Sequence, residues 1–155
     1  MANGQIKAAG TADHRTRIGC SKQLGLVTGA GKTEMIALVV HDGKKADMVA
    51  FVKNHVDQLN QFQLIGTGTT ANHVESVGLS ITTVLSGPLG GDAQIVAEVA
   101  CHRVKAVFFF RDPLGKHPHD PDISVLMRIC DVHNIPLTTN VATAELILTG
   151  ISGEN

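Results

Sequence analysis

The chain has no tryptophan and no tyrosine, and five phenylalanines are the only aromatics in its 155 residues. A core built from it is therefore mostly aliphatic, and the aromatic platforms on which single-stranded nucleic acid stacks are all but excluded. Cysteine is scarce as well. Cys20, Cys101 and Cys130 are odd in number, widely spaced and without a C-x-x-C pair. That argues against a disulfide framework or a structural zinc site. Cys101 and Cys130 fall inside apolar helical patterns and read as buried free thiols. No apolar run reaches the roughly 18 residues that a membrane-spanning helix needs, so the expectation is a soluble, cytoplasmic protein. An excess of one charge is also missing. The formal net charge is −1, which gives no electrostatic case for binding nucleic acid or a membrane surface. What remains is a chain of one-domain length with 43% hydrophobic residues, enough to build a core. One residue type is plentiful: 16 glycines, gathered in clusters.

The near-neutral total hides two unlike parts. Residues 1–34 carry five basic groups against two acidic ones, a balance of +3, with no sustained apolar periodicity. Residues 35–155 carry eight against 12, a balance of −4. The first part reads as a disordered extension and the second as a folded domain. Gly29-Ala30-Gly31-Lys32-Thr33 imitates the end of a phosphate-binding P-loop. That motif needs a glycine where Leu26 stands, a strand before it and a helix after it, and all three are lacking.

From Met35 onward, short apolar runs alternate with helical patterns. Strands are predicted at 35–40, 62–65, 81–85, 106–110 and 136–139; the runs at 35–40 and 106–110 are apolar throughout, as in strands buried on both faces. Helices are predicted at 44–59, 70–77, 92–103, 121–133 and 142–148. This alternation implies a three-layer α/β fold, an open parallel five-stranded sheet of Rossmann-like type with helices on both faces. His55, His73, His102 and His133 read as solvated positions on helix faces.

Ligands of such folds bind at the carboxyl ends of the strands. The segments that follow the strands hold most of the chemically capable residues. Gly66-Thr67-Gly68-Thr69-Thr70 joins a strand to a helix start, where glycine admits close approach and amides and hydroxyls point outward. Ser86-Gly87 offers a second loop of this kind, and Lys45 adds a point charge. Together they suit a phosphate, while turn chemistry and N-capping explain each loop taken alone. Asp92 opens a helix and Asp112 precedes a proline, so each reads as a cap or turn residue or as a catalyst. His41 begins another loop on the same edge. His119 lies in the rigid polar segment His117-Pro118-His119-Asp120-Pro121-Asp122. The spacing of His117, His119 and Asp122 matches no strong zinc signature. No G-x-S-x-G nucleophile motif is present. A phosphate cradle beside carboxylates and a histidine fits proton abstraction from a small phosphorylated carbonyl compound.

Six segments carry a specific likeness. They are Ala37–Asp42, Thr67–Thr70, Leu85–Asp92, Phe109–Leu114, Pro118–Asp122 and Asn140–Thr143, in that order. Over about residues 35–150 the chain resembles methylglyoxal synthases. The resemblance implies a carbon–oxygen lyase acting on phosphates. It would convert dihydroxyacetone phosphate to methylglyoxal and inorganic phosphate with no metal and no organic cofactor. It implies Asp92 as the base, His119 orienting the substrate oxygens and Asp122 supporting proton transfer. Lys45, Thr67, Gly68, Thr69, Thr70, Ser86 and Gly87 would hold the phosphate, and His41 and Asp112 would complete the pocket. It further implies a cytosolic homohexamer, inhibited by phosphate, with Arg128 at a position of subunit coupling. Ala71 stands where the family commonly has glycine. The chain also ends before the longer tail of many relatives, which bears on regulation more than on chemistry. A non-catalytic ligand-binding module of the same fold is the competing expectation.

Overall fold

Period-2 alternation along the central strands decides which side chain enters which layer. The computed structural model describes residues 34–116 and 120–153, with the side chains of residues 120–122 outside that description. The expected N-terminal extension lies outside it too, apart from Glu34, whose carbonyl accepts from the Gln63 amide and whose carboxylate pairs with Lys105 at 3.1 Å.

Five strands, β1 (Met35–Val40), β2 (Gln63–Thr67), β3 (Thr82–Val84), β4 (Val104–Phe110) and β5 (Leu137–Thr138), form one parallel sheet in the order β3-β2-β1-β4-β5. The helices are α1 (Lys45–Asn54), α2 (Val56–Leu59), α3 (Gly68–Glu75), α4 (Gly91–Ala100), α5 (Asp120–Val132) and α6 (Val141–Ser152). Ile36, Leu38, Phe108 and Phe110 face one layer, packed with Met48, Phe51, Leu59, Val74 and Leu148 from α1, α2, α3 and α6. Met35, Ala37, Val39, Val107 and Phe109 face the other, packed with Ile95 and Val99 of α4 and Ile123, Leu126 and Cys130 of α5. This is the predicted three-layer architecture, with both faces of the sheet buried.

Element boundaries differ in places. The predicted helix 44–59 is two helices, because the backbone leaves helical geometry at His55 (φ −125°, ψ 26°). The His55 ring tilts against Phe51 with centroids 4.8 Å apart, and its Nδ1 lies 2.8 Å from Gln58 Oε1. The break lets Phe51, Leu59 and Phe62 all reach the core before β2 begins. The helix after β2 starts two residues earlier than predicted, at Gly68. Cys130 is a buried free thiol. Cys101 is not: it is half-buried at the end of α4 and disulfide-bonded, which corrects the expectation of a free thiol there. No helix among the described residues is long and apolar enough to cross a membrane.

Candidate active site

The strand order reverses direction at β1, whose neighbours β2 and β4 carry the chain to opposite ends of the sheet. The crevice beyond the carboxyl ends of the strands at such a switch point is where an open α/β sheet binds ligands. A cavity of about 500 Å³ lies there. It is lined by nine residues singled out in the sequence: His41, Lys45, Thr67, Thr69, Thr70, Ser86, Gly87, Asp92 and Asp112. Gly68 is absent from the lining; it is the first residue of α3 and contributes to the helix start. His119 lies outside the described residues, and Asp122 is in α5 with its side chain outside the description.

Each strand end delivers its side chain by a different local device. After β1, the His41 amide donates to the Phe110 carbonyl at 3.1 Å, tying the chain to β4. The His41 ring stands edge-on to Phe109, 4.9 Å between centroids. The Asp112 amide donates to His41 Nδ1 at 3.1 Å. A backbone amide can only donate, so Nδ1 is the unprotonated nitrogen and the neutral ring carries its proton on Nε2. Asp112 also makes a turn: its Oδ1 accepts from the Leu114 amide at 3.1 Å, and its other oxygen lies against Gly43. The turn reading of Asp112 therefore holds alongside its place in the cavity wall.

After β2, Thr67 precedes α3 and makes no side-chain capping bond. Its hydroxyl lies 3.4 Å from that of the buried Thr70. The first amides of α3 thus have no hydroxyl cap from Thr67 and face the strand-end crevice, a geometry that favours an anion. After β3, Ser86 likewise makes no capping bond to the 3-10 turn 87–89. Gly90 then takes left-handed backbone (φ 101°), which a residue with a side chain adopts only under strain. At Gly91 a Cβ would collide with the Leu85 carbonyl. This pair of glycines turns the chain so sharply that Asp92 becomes the second residue of α4 and not its N-cap. The Asp92 carboxylate folds back over Gly87, where a Cβ would stand 3.0 Å from Oδ2. The capping explanation of Asp92 fails here, because the position it would occupy belongs to Gly90.

The charged groups of the wall nearly balance. Lys45, at the start of α1, pairs with Asp42 at 2.6 Å. Lys116 also lines the cavity, a residue that sequence reasoning passed over. It lies in the segment after β4, on the ligand-binding edge, but nothing in the spacing of that segment singles it out. Asp42 was missed in the same way, as a mere neighbour of His41. Apolar wall comes from Val39, Phe109, Ile123 and Leu126, which bring the two buried layers up to the floor of the crevice. Among the described residues, no group of three or more His, Cys, Asp or Glu side chains is placed to hold a metal ion. The segment 140–143, which also follows a strand, does not line this cavity. Asn140 caps α6 instead, accepting from the Thr143 amide at 2.9 Å, beside a smaller cavity of about 340 Å³.

Comparison with known proteins points one way. Residues 47–139 match the family model described as MGS-like domain. The chain is 55% identical over 121 residues to a methylglyoxal synthase of Borrelia garinii subsp. bavariensis, covering 77% of this chain and 96% of that protein. It is 54% identical over 121 residues to a methylglyoxal synthase of Cupriavidus taiwanensis, covering 77% and 91%. The crystal structure of a methylglyoxal synthase from Elizabethkingia anophelis superposes with a TM-score of 0.70 at 43% identity, covering 74% of this chain and 76% of that one.

Proposed function

The chain belongs to the methylglyoxal synthase family, and from that premise we propose how its cavity performs the family's reaction. The chain is a carbon–oxygen lyase, and the reaction takes dihydroxyacetone phosphate to methylglyoxal and inorganic phosphate. A proton leaves the hydroxymethyl carbon and an enediolate forms. The bridging C–O bond then breaks, its electron pair departs with the phosphate, and the hydroxyl proton is released. The resulting enolate takes a proton on its terminal methylene and becomes methylglyoxal.

In this proposal Asp92 is the base. Its carboxylate faces the cavity from the first turn of α4, beside the Ser86-Gly87 loop. His41 presents Nε2–H to the enediolate oxygen, as a neutral donor whose tautomer is held by the Asp112 amide. Lys45, the hydroxyls of Thr67, Thr69, Thr70 and Ser86, and the amides at Gly68 and Gly87 receive the phosphate. Among the described residues, three carboxylates and two ammonium groups line the cavity. The phosphate site therefore draws on amide and hydroxyl dipoles as much as on net positive charge. His119 and Asp122 keep the roles given by the resemblance, orienting oxygens and supporting proton transfer. The same reading extends to a cytoplasmic homohexamer inhibited by phosphate.

Elimination needs the bridging C–O bond roughly perpendicular to the enediolate plane. Isomerisation of the same intermediate does not. The two phosphate-facing loops follow β2 and β3, to one side of His41 and Asp112, which follow β1 and β4. That offset is proposed to hold the phosphate out of plane.

The observation that supports this reading best is the convergence of nine sequence-selected residues on one cavity. The test is release of phosphate and methylglyoxal from dihydroxyacetone phosphate. Asp92→Asn is expected to lower kcat by about 10²–10⁴, the usual worth of a general base, while keeping phosphate affinity. If the wild type proves as inactive as the variant yet binds phosphate, the chain is a regulatory module of the same fold.

A further inference from the structure

Helices α4 and α5 pack side by side, and both run from the cavity edge of the sheet to the opposite edge. They end alike. Two residues past α4, His102 has φ 54°, and two residues past α5, Asn134 has φ 54°. Left-handed backbone after a helix suits glycine and is tolerated by asparagine. A histidine there is held at a cost. His102 is thus beyond its helix, as is His133, which corrects the expectation that both lie on helix faces.

The strained His102 meets His133. Nε2 of His102 lies 3.1 Å from Nδ1 of His133. The ring centroids are 4.7 Å apart and the planes 88° apart. A head-on N–H···N bond at that spacing would hold the centroids about 5.4 Å apart. The observed centroids are closer, so the rings are tilted off the line between the two nitrogens. Two imidazole nitrogens bound at about 2.1 Å to one ion, roughly 90° apart, stand about 3.0 Å from each other with centroids about 4.6 Å apart. The pair has those dimensions. His102 is exposed and His133 half-buried, so solution has access.

We propose that His102 and His133 form a two-histidine site for a divalent transition-metal ion of the nickel, copper(II) or zinc class. Imidazole suits these ions. Among the described residues no third ligand completes the set, so water fills the remaining positions and the site is a two-point surface chelate. Arg103, the next residue, does not oppose the ion with a bare charge, because its guanidinium is held by Glu98 at 2.5 and 2.8 Å. The ligands come from the ends of two helices and meet only in the folded chain. The bound ion therefore stabilises that state and ties α4 to α5 at the end remote from the cavity.

The test is titration of the full chain with Ni²⁺, followed by calorimetry and thermal unfolding. Wild type is expected to bind and to gain in Tm. His133→Ala and His102→Gly are each expected to lose at least tenfold in affinity and most of the Tm gain. Glycine suits the backbone at 102, so His102→Gly should be at least as stable without metal, and its loss of binding does not arise from misfolding. Cu²⁺ bound to the wild type should show electron paramagnetic resonance splitting from two imidazole nitrogens. The proposal is overturned if Ni²⁺ leaves the wild-type Tm unchanged. It is equally overturned if both variants bind as tightly as wild type, since that binding belongs to others of the eight histidines.

Discussion

A single amide decides what His41 is able to do. With Nδ1 occupied as an acceptor from Asp112, the ring offers the cavity a donor and no basic lone pair. His41→Ala is expected to lower kcat by about 10²–10³, the cost of one oxyanion donor, with KM changed much less; steady-state kinetics on dihydroxyacetone phosphate check it. Lys116 acts at longer range. Lys45 has Asp42 at 2.6 Å, whereas Lys116 has no ion-pair partner among the described residues. A dianion approaching the mouth feels that charge over about a Debye length, roughly 10 Å at 0.1 M salt. Lys116→Gln should reduce kcat/KM several-fold at low ionic strength, leave kcat alone, and converge on wild type as salt is added. Side chains on strand ends, such as Thr67 and Ser86, were legible because strand termini and glycines are visible in a linear string. Lys116 was not, because its loop has no pattern and its place in the wall depends on how the loop folds back.

Helix α4 illustrates what an element needs beyond periodicity. Ile95 and Val99 were readable as inward positions, and both are buried. Glu98 was not readable as a core residue, yet it is 1% exposed. It is admitted because Arg103 meets it with two side-chain bonds and an amide bond to its carbonyl, clamping the turn from α4 into β4. The Glu98 hydrogen bond in turn raises the Arg103 pKa above its ordinary value, against the opposing effect of burial. Arg103→Ala would leave a buried carboxylate without its counter-charge and should lower stability by about 3 kcal/mol. The paired change Glu98→Leu with Arg103→Met should recover most of that loss, and urea unfolding of the wild type and the two variants distinguishes them. Glycines 90 and 91 were legible as a turn. That the turn makes Asp92 the second residue of α4, and so aims it inward, was not, since one residue of shift is below what sequence spacing resolves.

For the molecule as a whole, five alternating apolar runs were enough to anticipate a parallel sheet covered on both faces. Strand order was not, because runs of similar composition carry no label for their neighbours. The order places β1 and β4 side by side at the centre, and so brings His41 and Asp112 together across 71 residues of sequence. Global stability should also carry the mark of the core thiol. Burial, with a smaller contribution from the Asp131 charge, pushes Cys130 from the ordinary 9.0 up to about 11. The unfolded thiol ionises first, so between about pH 9 and 11 the unfolded state binds fewer protons and stability falls as pH rises. With no tyrosine in the chain, this alkaline window lacks phenol ionisation. Urea midpoints from pH 8 to 11 should fall less steeply in Cys130→Ala than in wild type.

The parallel sheet has one more consequence. All five strands point their carboxyl ends at the cavity, so β1 begins on the far edge, about 20 Å away for six residues at 3.3 Å each. Helix α6 starts near the cavity edge at Asn140 and runs back toward that same far edge. The start of β1 and the last turn of α6 therefore share the edge remote from the cavity. A tether placed on that far edge would leave the open mouth facing outward, like a cup fixed by its base.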